Sequence, residues 1–336
     1  MRACLLLLFV SFSLHADIAK LVDPLVAALP GNALSETDDN LQKVIDAGAP
    51  AFVYLCSKLA DEDGRKDGKV RWMMQGISHR ILGSKNNTAR KALERALLDS
   101  LASDKHGTHA STFLLRQLRI IGTVDALVPI GKQLKKNELV DPSVQALLAI
   151  ANSVDHKRVA SQLRPALPHV TVIKALGSLR DTNSIPAFIE ATKSADSTTR
   201  LVGLRALSNT GDARGLPVLK SAAESAKGYE QNRALANYLQ LATTLKKADI
   251  CREVFATYTG PEHGHIQTKA LSDLAGILGE DAAADLNKAL DHKSTYVRDV
   301  AGRLLTDLPG ESISQGIADK LESEDAGTRK TAVTSL

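Results

Sequence analysis

The stretch Pro261-Glu262-His263-Gly264-His265 brings two imidazoles and a carboxylate together, and these are side chains that zinc binds. A closed zinc site needs three or four ligands held by an outer shell of hydrogen bonds, and no fourth ligand is identifiable. The stretch therefore reads as an ordinary inter-repeat loop. Lys105-His106-Gly107-Thr108-His109 has Asp104 as its nearby carboxylate and reads the same way. Gly64-Arg65-Lys66-Asp67-Gly68-Lys69 lacks the Gly-Lys-Ser/Thr ending and the preceding strand of a phosphate loop, so a solvated loop is expected. The carboxylate pairs Asp38-Asp39 and Glu324-Asp325 are expected in turns before helices, where they stabilise helix N-termini. The sequence has no nucleophile elbow, no His-Glu-x-x-His and no Cys-x-x-Cys pair. No catalytic, cofactor-binding or metal-binding residue is assigned, no cofactor is expected and no small-molecule substrate is indicated.

Trp72, Met73 and Met74 sit together on a helical pattern and are expected in the core rather than on a ligand platform. Three arginines carry the binding prediction. Arg116 and Arg205 occupy equivalent positions in their repeats, and Arg119 lies one helical turn beyond Arg116. Guanidinium groups recognise carboxylates, phosphates and aromatic rings, so Arg116, Arg119 and Arg205 are the candidate partner-binding residues. The competing reading pairs each arginine with an acid of a neighbouring repeat.

A repeat must position these residues. Thr199-Arg200-Leu201-Val202-Gly203-Leu204-Arg205-Ala206-Leu207 recurs as Tyr296-Val297-Arg298-Asp299-Val300-Ala301-Gly302-Arg303-Leu304 and again as Gly327-Thr328-Arg329-Lys330-Thr331-Ala332-Val333. Second helices of successive pairs are predicted to begin near Val70, Ser111, Val144, Val172, Arg200, Arg233, Gln267, Arg298 and Arg329. From Val172 onward the steps are 28, 33, 34, 31 and 31 residues, a period that signals a solenoid. Leu201, Leu204 and Leu207 mark one buried stripe. First helices share a proline after an apolar residue, at Pro129, Pro186 and Pro217, which the first helical turn tolerates. Asp196 and Ser294 supply capping chemistry, and Gly122, Gly211 and Gly279 supply left-handed exits. Breakers at Gly48-Ala49-Pro50 separate two earlier helices.

The turn, the Val-Arg or Thr-Arg opening, the small residue three positions on, the following Leu and the closing Gly-Asp of Gly211-Asp212 resemble HEAT repeats over roughly residues 35–336. Ser111, Val172 and Gln267 depart from the repeat's usual Arg. The resemblance implies an all-α fold, a right-handed α-α superhelix of about eight to nine HEAT-like helix pairs, with second helices on the concave side. Phe113 to Gly122, followed by Gln145 to Ile150, looks like the N-terminal HEAT region of certain large exported bacterial proteins. In that family the region often precedes a sugar-derivative hydrolase domain, whose activity is not carried over to this chain. HEAT-like bilin lyases share the repeat and act on a tetrapyrrole, a reading that an export signal disfavours.

Arg2, the apolar run Leu5 to Val10 extending to Leu14, and the small Ala16 before Asp17 have the order of a secretory signal peptide cleaved after Ala16. The expected division is residues 1–16 as signal peptide, 17–60 as capping helices and 61–336 as the repeat array. The sequence stops inside a predicted second helix, so the array is expected to be truncated and its gene to continue. A periplasmic or extracellular location follows, with no later segment apolar enough to span a bilayer. Cys56 and Cys251 remain after cleavage; they are expected to be buried apolar residues and not a disulfide. Lys+Arg number 42 and Asp+Glu 38, a mixed surface and not the basic stripe of a nucleic-acid binder. The clusters Lys132, Lys135, Lys136 and Lys246, Lys247 fall near predicted helix ends, where cations suit the dipole. The expected function is thus an exported, non-catalytic scaffold that binds a protein or acidic ligand.

Overall fold

The computed structural model describes residues 16–29, 34–60, 66–103, 105–308 and 316–335. Nearly all of the candidate signal peptide, the loop segment 61–65, Asp104 and Leu336 lie outside the described residues. Helices and turns account for the described chain, and no strand occurs among the described residues. The fold is an α-solenoid of helix pairs, as expected from the repeat.

Two compact units divide at Ala175 and Leu176. The first unit opens with helix α1 over 16–27, then α2 (Leu34–Ala47) and α3 (Ala49–Ser57). It continues with α4 (Gly68–Ser84), α5 (Asn87–Ala102), α6 (Thr108–Ile121), α7 (Leu127–Gln133), α8 (Val140–Ala151) and α9 (His156–Leu163). Helix α10 (Val170–Ser178) contains the division. The second unit holds α11 (Ile185–Ala191), α12 (Ser197–Thr210), α13 (Leu216–Ser225), α14 (Gly228–Thr244), α15 (Ala248–Thr257), α16 (Gly264–Leu278), α17 (Ala283–Ala289), α18 (Thr295–Thr306) and α19 (Ala326–Ser335). Every predicted second helix, from Val70 to Arg329, falls inside an even-numbered helix from α4 to α18 or inside α19. Second helices pack against the first helix of their own pair and the second helix of the next, as α6 does against α5 and α8, and α14 against α13 and α16. Buried leucines hold the layers together. Leu204, Leu207, Leu219, Leu235 and Leu239 are all buried in the second unit, each stabilising by about 2 kcal/mol before chain entropy is subtracted.

The repeat's arginine has a structural reason. Arg200 donates to the carbonyls of Ser194 and Ala195 at 2.9 and 2.7 Å. Arg329 reaches Ser323 and Glu324 at 2.6 and 2.9 Å, and Arg298 reaches His292 at 2.7 Å. The side chain thus satisfies carbonyls of the turn that precedes its own helix. At the departure Ser111 a hydroxyl lies 3.5 Å from the His106 carbonyl, the same task at shorter reach.

Capping follows the sequence in part. Asp196 accepts from the Thr199 N–H at 2.7 Å, and Asp325 does the same for Thr328 at 2.7 Å. Ser294 stands at the N-cap of α18, but its side chain makes no capping bond; its backbone N–H instead donates to His292 Nδ1 at 3.0 Å. Asp38 and Asp39 lie inside α2 and not in a turn before a helix, and Asp38 pairs with Arg80 at 3.1 Å. Ala49 and Pro50 belong to the first turn of α3, because proline fits there and Gly48 alone turns the chain at φ 68°. Gly211 ends α12 at φ 69° as predicted, whereas Gly122 has φ −55°. Glycine is needed at 122 for space: a Cβ would overlap the Leu118 carbonyl and crowd Ile150.

Candidate functional site

In the first unit the second helices present one exposed face. On α4 the outward stripe is Trp72, Gln75, His79 and Leu82, at helical spacing. Its inward stripe, Met73, Met74, Ile77 and Ile81, is core. The core expectation therefore holds for the two methionines and fails for Trp72, which is 45% exposed. The cause is helical phase: adjacent residues are rotated about 100° apart, so Trp72 leaves the buried stripe that Met73 and Met74 enter. On α6, which packs against α4, His109, Arg116 and Arg119 are exposed and Thr112 is half-buried. Helix α8, which packs against α6, adds Asp141 and Gln145.

Arg119 Nη1 donates to Gln145 Oε1 at 3.3 Å, joining α6 to α8. Arg116 makes no hydrogen bond or ion pair with the described residues. Half-buried cations nearby are committed elsewhere, Arg71 to Asp67 at 2.8 Å and Arg80 to Asp38. The face thus carries Arg116 and Arg119 with Asp141, beside an exposed indole.

Arg205 lies in the second unit, exposed on α12, its guanidinium without a hydrogen bond or ion pair to the described residues. On the neighbouring α14, Gln240 donates to Asn209 of α12 at 3.0 Å. The structure brings Arg116 and Arg119 onto one face; Arg205 stands on a face of the other unit.

The remaining candidates resolve into structural roles. His263 is 8% exposed, its Nδ1 lies 2.9 Å from Asn232 Oδ1, and its ring meets Tyr258 edge-on at 5.5 Å. His265 is exposed on α16, so the two imidazoles do not converge. No group of three His, Cys, Asp or Glu positioned for a metal occurs among the described residues. His106 Nε2 meets Ser100 Oγ at 2.8 Å. Asp67, expected in a solvated loop, is buried: it accepts from Arg71 and, at 2.8 Å, from the Ala60 N–H, while Arg71 donates to the Ala60 carbonyl at 2.8 Å. Only a long-range contact could reveal this, since nothing in the sequence joins residue 60 to 67 and 71. Cys56 and Cys251 are buried free thiols, as expected of apolar filler. Burial pushes Cys56 up to about 12 and Cys251 up to about 11.

Clefts occur between first helices, a feature with no sequence signal. One of about 660 Å³ lies between α5 and α7, floored by Leu98 and Leu101 and rimmed by Lys91, Arg95, Lys132 and Asp125. A second of about 400 Å³ lies between α15 and α17. No helix among the described residues is long and apolar enough to cross a membrane.

No protein-family model matches the chain, and no curated protein matches it. Among solved structures it is similar to importin beta, at 13% identity over 96% of this chain and 52% of that one, with a TM-score of 0.48. It is similar to Kap121p at 14% identity, covering 94% of this chain and 37% of that one, with a TM-score of 0.44. Human deoxyhypusine hydroxylase in complex with glycerol aligns at 13% identity over 97% and 96% of the two chains, with a TM-score of 0.25. The chain thus spans about half the length of the importin beta chain, and likenesses at these identities concern the fold alone.

Proposed function

We propose that this protein is a non-catalytic helical-repeat scaffold that holds an acidic segment of a protein partner on the exposed second-helix face of its first unit. The observation that carries the reading is the composition of that face. Arg116 and Arg119 are exposed on α6, Asp141 is the exposed acid that α8 adds, and Trp72 stands exposed on the adjoining α4. Tryptophan and arginine are the side chains on which binding energy concentrates at protein interfaces. A positive surplus also steers an acidic partner and suppresses basic ones. Arg205 is a second contact of the same kind in the other unit. The N-terminal sequence from Arg2 to Ala16 supports export, so the partner belongs to the periplasm or the medium of a bacterial cell.

The test is capture from a periplasmic extract by the purified chain, with bound proteins identified by mass spectrometry. Arg116→Glu combined with Arg119→Glu should cut recovery of the specific partner at least tenfold while the far-ultraviolet circular dichroism stays unchanged. Equal recovery by the double variant would dismiss the face as the site. Arg205→Glu alone reports whether the second unit contributes.

A further inference from the structure

Three neighbouring helices of the first unit expose stripes of different chemistry. Helix α2 exposes Glu36, Asp39, Lys43 and Asp46, and α4 exposes Trp72, Gln75, His79 and Leu82. Both stripes step by three, four and three residues, the spacing of one helical face. Arg116 and Arg119 extend the series on α6. Helix α4 packs against both α2 and α6. Two of its arginines mark the seams. Arg80 reaches Asp38 and Gln42 of α2 at 3.1 and 3.0 Å, each one residue from the α2 stripe. Arg71 lies 5.1 Å from the Phe113 ring of α6. Nine residues apart, they point to opposite sides of α4 with its exposed stripe between them, so the three stripes share one face.

Charge is ordered across that face. Neither α4 nor α6 contains an acidic residue. The α2 stripe sets Glu36, Asp39 and Asp46 against Lys43 alone. The order is thus acidic on α2, apolar and aromatic on α4, basic on α6. Trp72 and Leu82 are each 45% exposed. Ten residues separate them, about 15 Å or three turns along the axis. Packed helix axes lie about 8–10 Å apart, so the charged strips stand about 16–20 Å from each other. A helix about 10–12 Å wide fits between them, with its own long charged side chains reaching either way. An extended strand points its side chains toward and away from the face and reaches neither flank.

We propose that this face seats an amphipathic helix of the partner along α4, its apolar stripe on Trp72 and Leu82, a basic flank toward α2 and an acidic flank toward α6. The inference rests on the proposed function and narrows it: the acidic segment is one flank of a helix whose other flank is basic. Opposite charges at the two edges hold the helix in one direction and penalise the reverse.

Trp72 is the chain's only tryptophan and stands in the middle strip, so its emission reports docking directly. The probes are three designed amphipathic peptides of about 18 residues, with identical apolar positions and no tryptophan. One carries Lys on one flank and Glu on the other, one Glu on both, and one Lys on both. Titrated into the whole chain, the mixed peptide should shift Trp72 emission to the blue saturably and bind at least tenfold more tightly than either single-sign peptide. Asp39→Lys combined with Asp46→Lys should reverse the order and make the all-Glu peptide the tightest, a gain that misfolding cannot produce. Absence of a saturable shift, a mixed peptide no tighter than the others, or an unreversed order in that variant overturns the proposal. Tightest binding of the all-Glu peptide to the unaltered chain refutes the basic flank and leaves the acidic-segment reading standing. That reading fails separately if Arg116→Glu with Arg119→Glu leaves recovery of the natural partner unchanged.

Discussion

Asp67 and Arg71 form the clearest case of a single contact holding distant chain together, because both also bond Ala60 across the loop before α4. Removing the carboxylate in Asp67→Ala takes the ion pair from a largely buried guanidinium and the acceptor from the Ala60 N–H. The expected loss is about 3 kcal/mol of unfolding free energy, measured by urea denaturation. The thiols give a second prediction. Cys56 and Cys251 ionise near 12 and 11 in the folded chain, against 9.0 for a free thiol. A folded pKa above the unfolded one means that the native state holds its proton longer. Their contribution to stability is complete below about pH 9 and falls as pH rises toward 11 and 12. Native protein should therefore resist a thiol reagent at pH 8 and react at both cysteines once unfolded in urea; rapid native labelling would contradict the burial. That both cysteines are apolar filler was legible in a chain so poor in cysteine. The Asp67 pair was not, since charged residues around a Gly-rich turn look the same whether solvated or folded inward.

At the scale of elements, Asp196 and Ser294 looked equivalent in sequence, each a small polar residue before a second helix. The structure separates them. Asp196 caps α12 through Thr199, while the turn before α18 is closed by the Ser294 N–H on His292 and by Arg298 on the His292 carbonyl. Asp196→Ala should cost about 1 kcal/mol, and Ser294→Ala less than about 0.5 kcal/mol, by thermal or urea unfolding. The helices themselves were legible throughout, because three-and-four spacing of Leu, Val and Ala has one periodic solution. Helix phase at the edges was less so. Trp72 follows the same pattern as Met73 and Met74 in a sequence window, yet one residue of rotation takes it from core to solvent. Arg116 and Arg119 are exposed on α6, whereas Trp72, expected in the core, is exposed on α4.

For the molecule as a whole, two compact units imply that damage in one is felt first there. In a repeat array stability is close to a sum of repeat and neighbour terms. Leu239→Ala, at a fully buried position on α14, should cost about 3 kcal/mol. Native-state hydrogen exchange should then speed up in α12 to α16 and leave α4 to α8 protected; uniform loss of protection would show a single cooperative unit.

The sequence by itself determined the class of fold, the helix pairs and their period, and the recurrence of arginine at 200, 298 and 329, because all of these are written in local spacing and residue type. Tertiary structure alone decided which side chains leave the core, which carboxylates are buried and which turn carbonyls each arginine reaches. Those outcomes depend on helix phase and on partners tens of residues away, and neither is encoded in any short window of the chain.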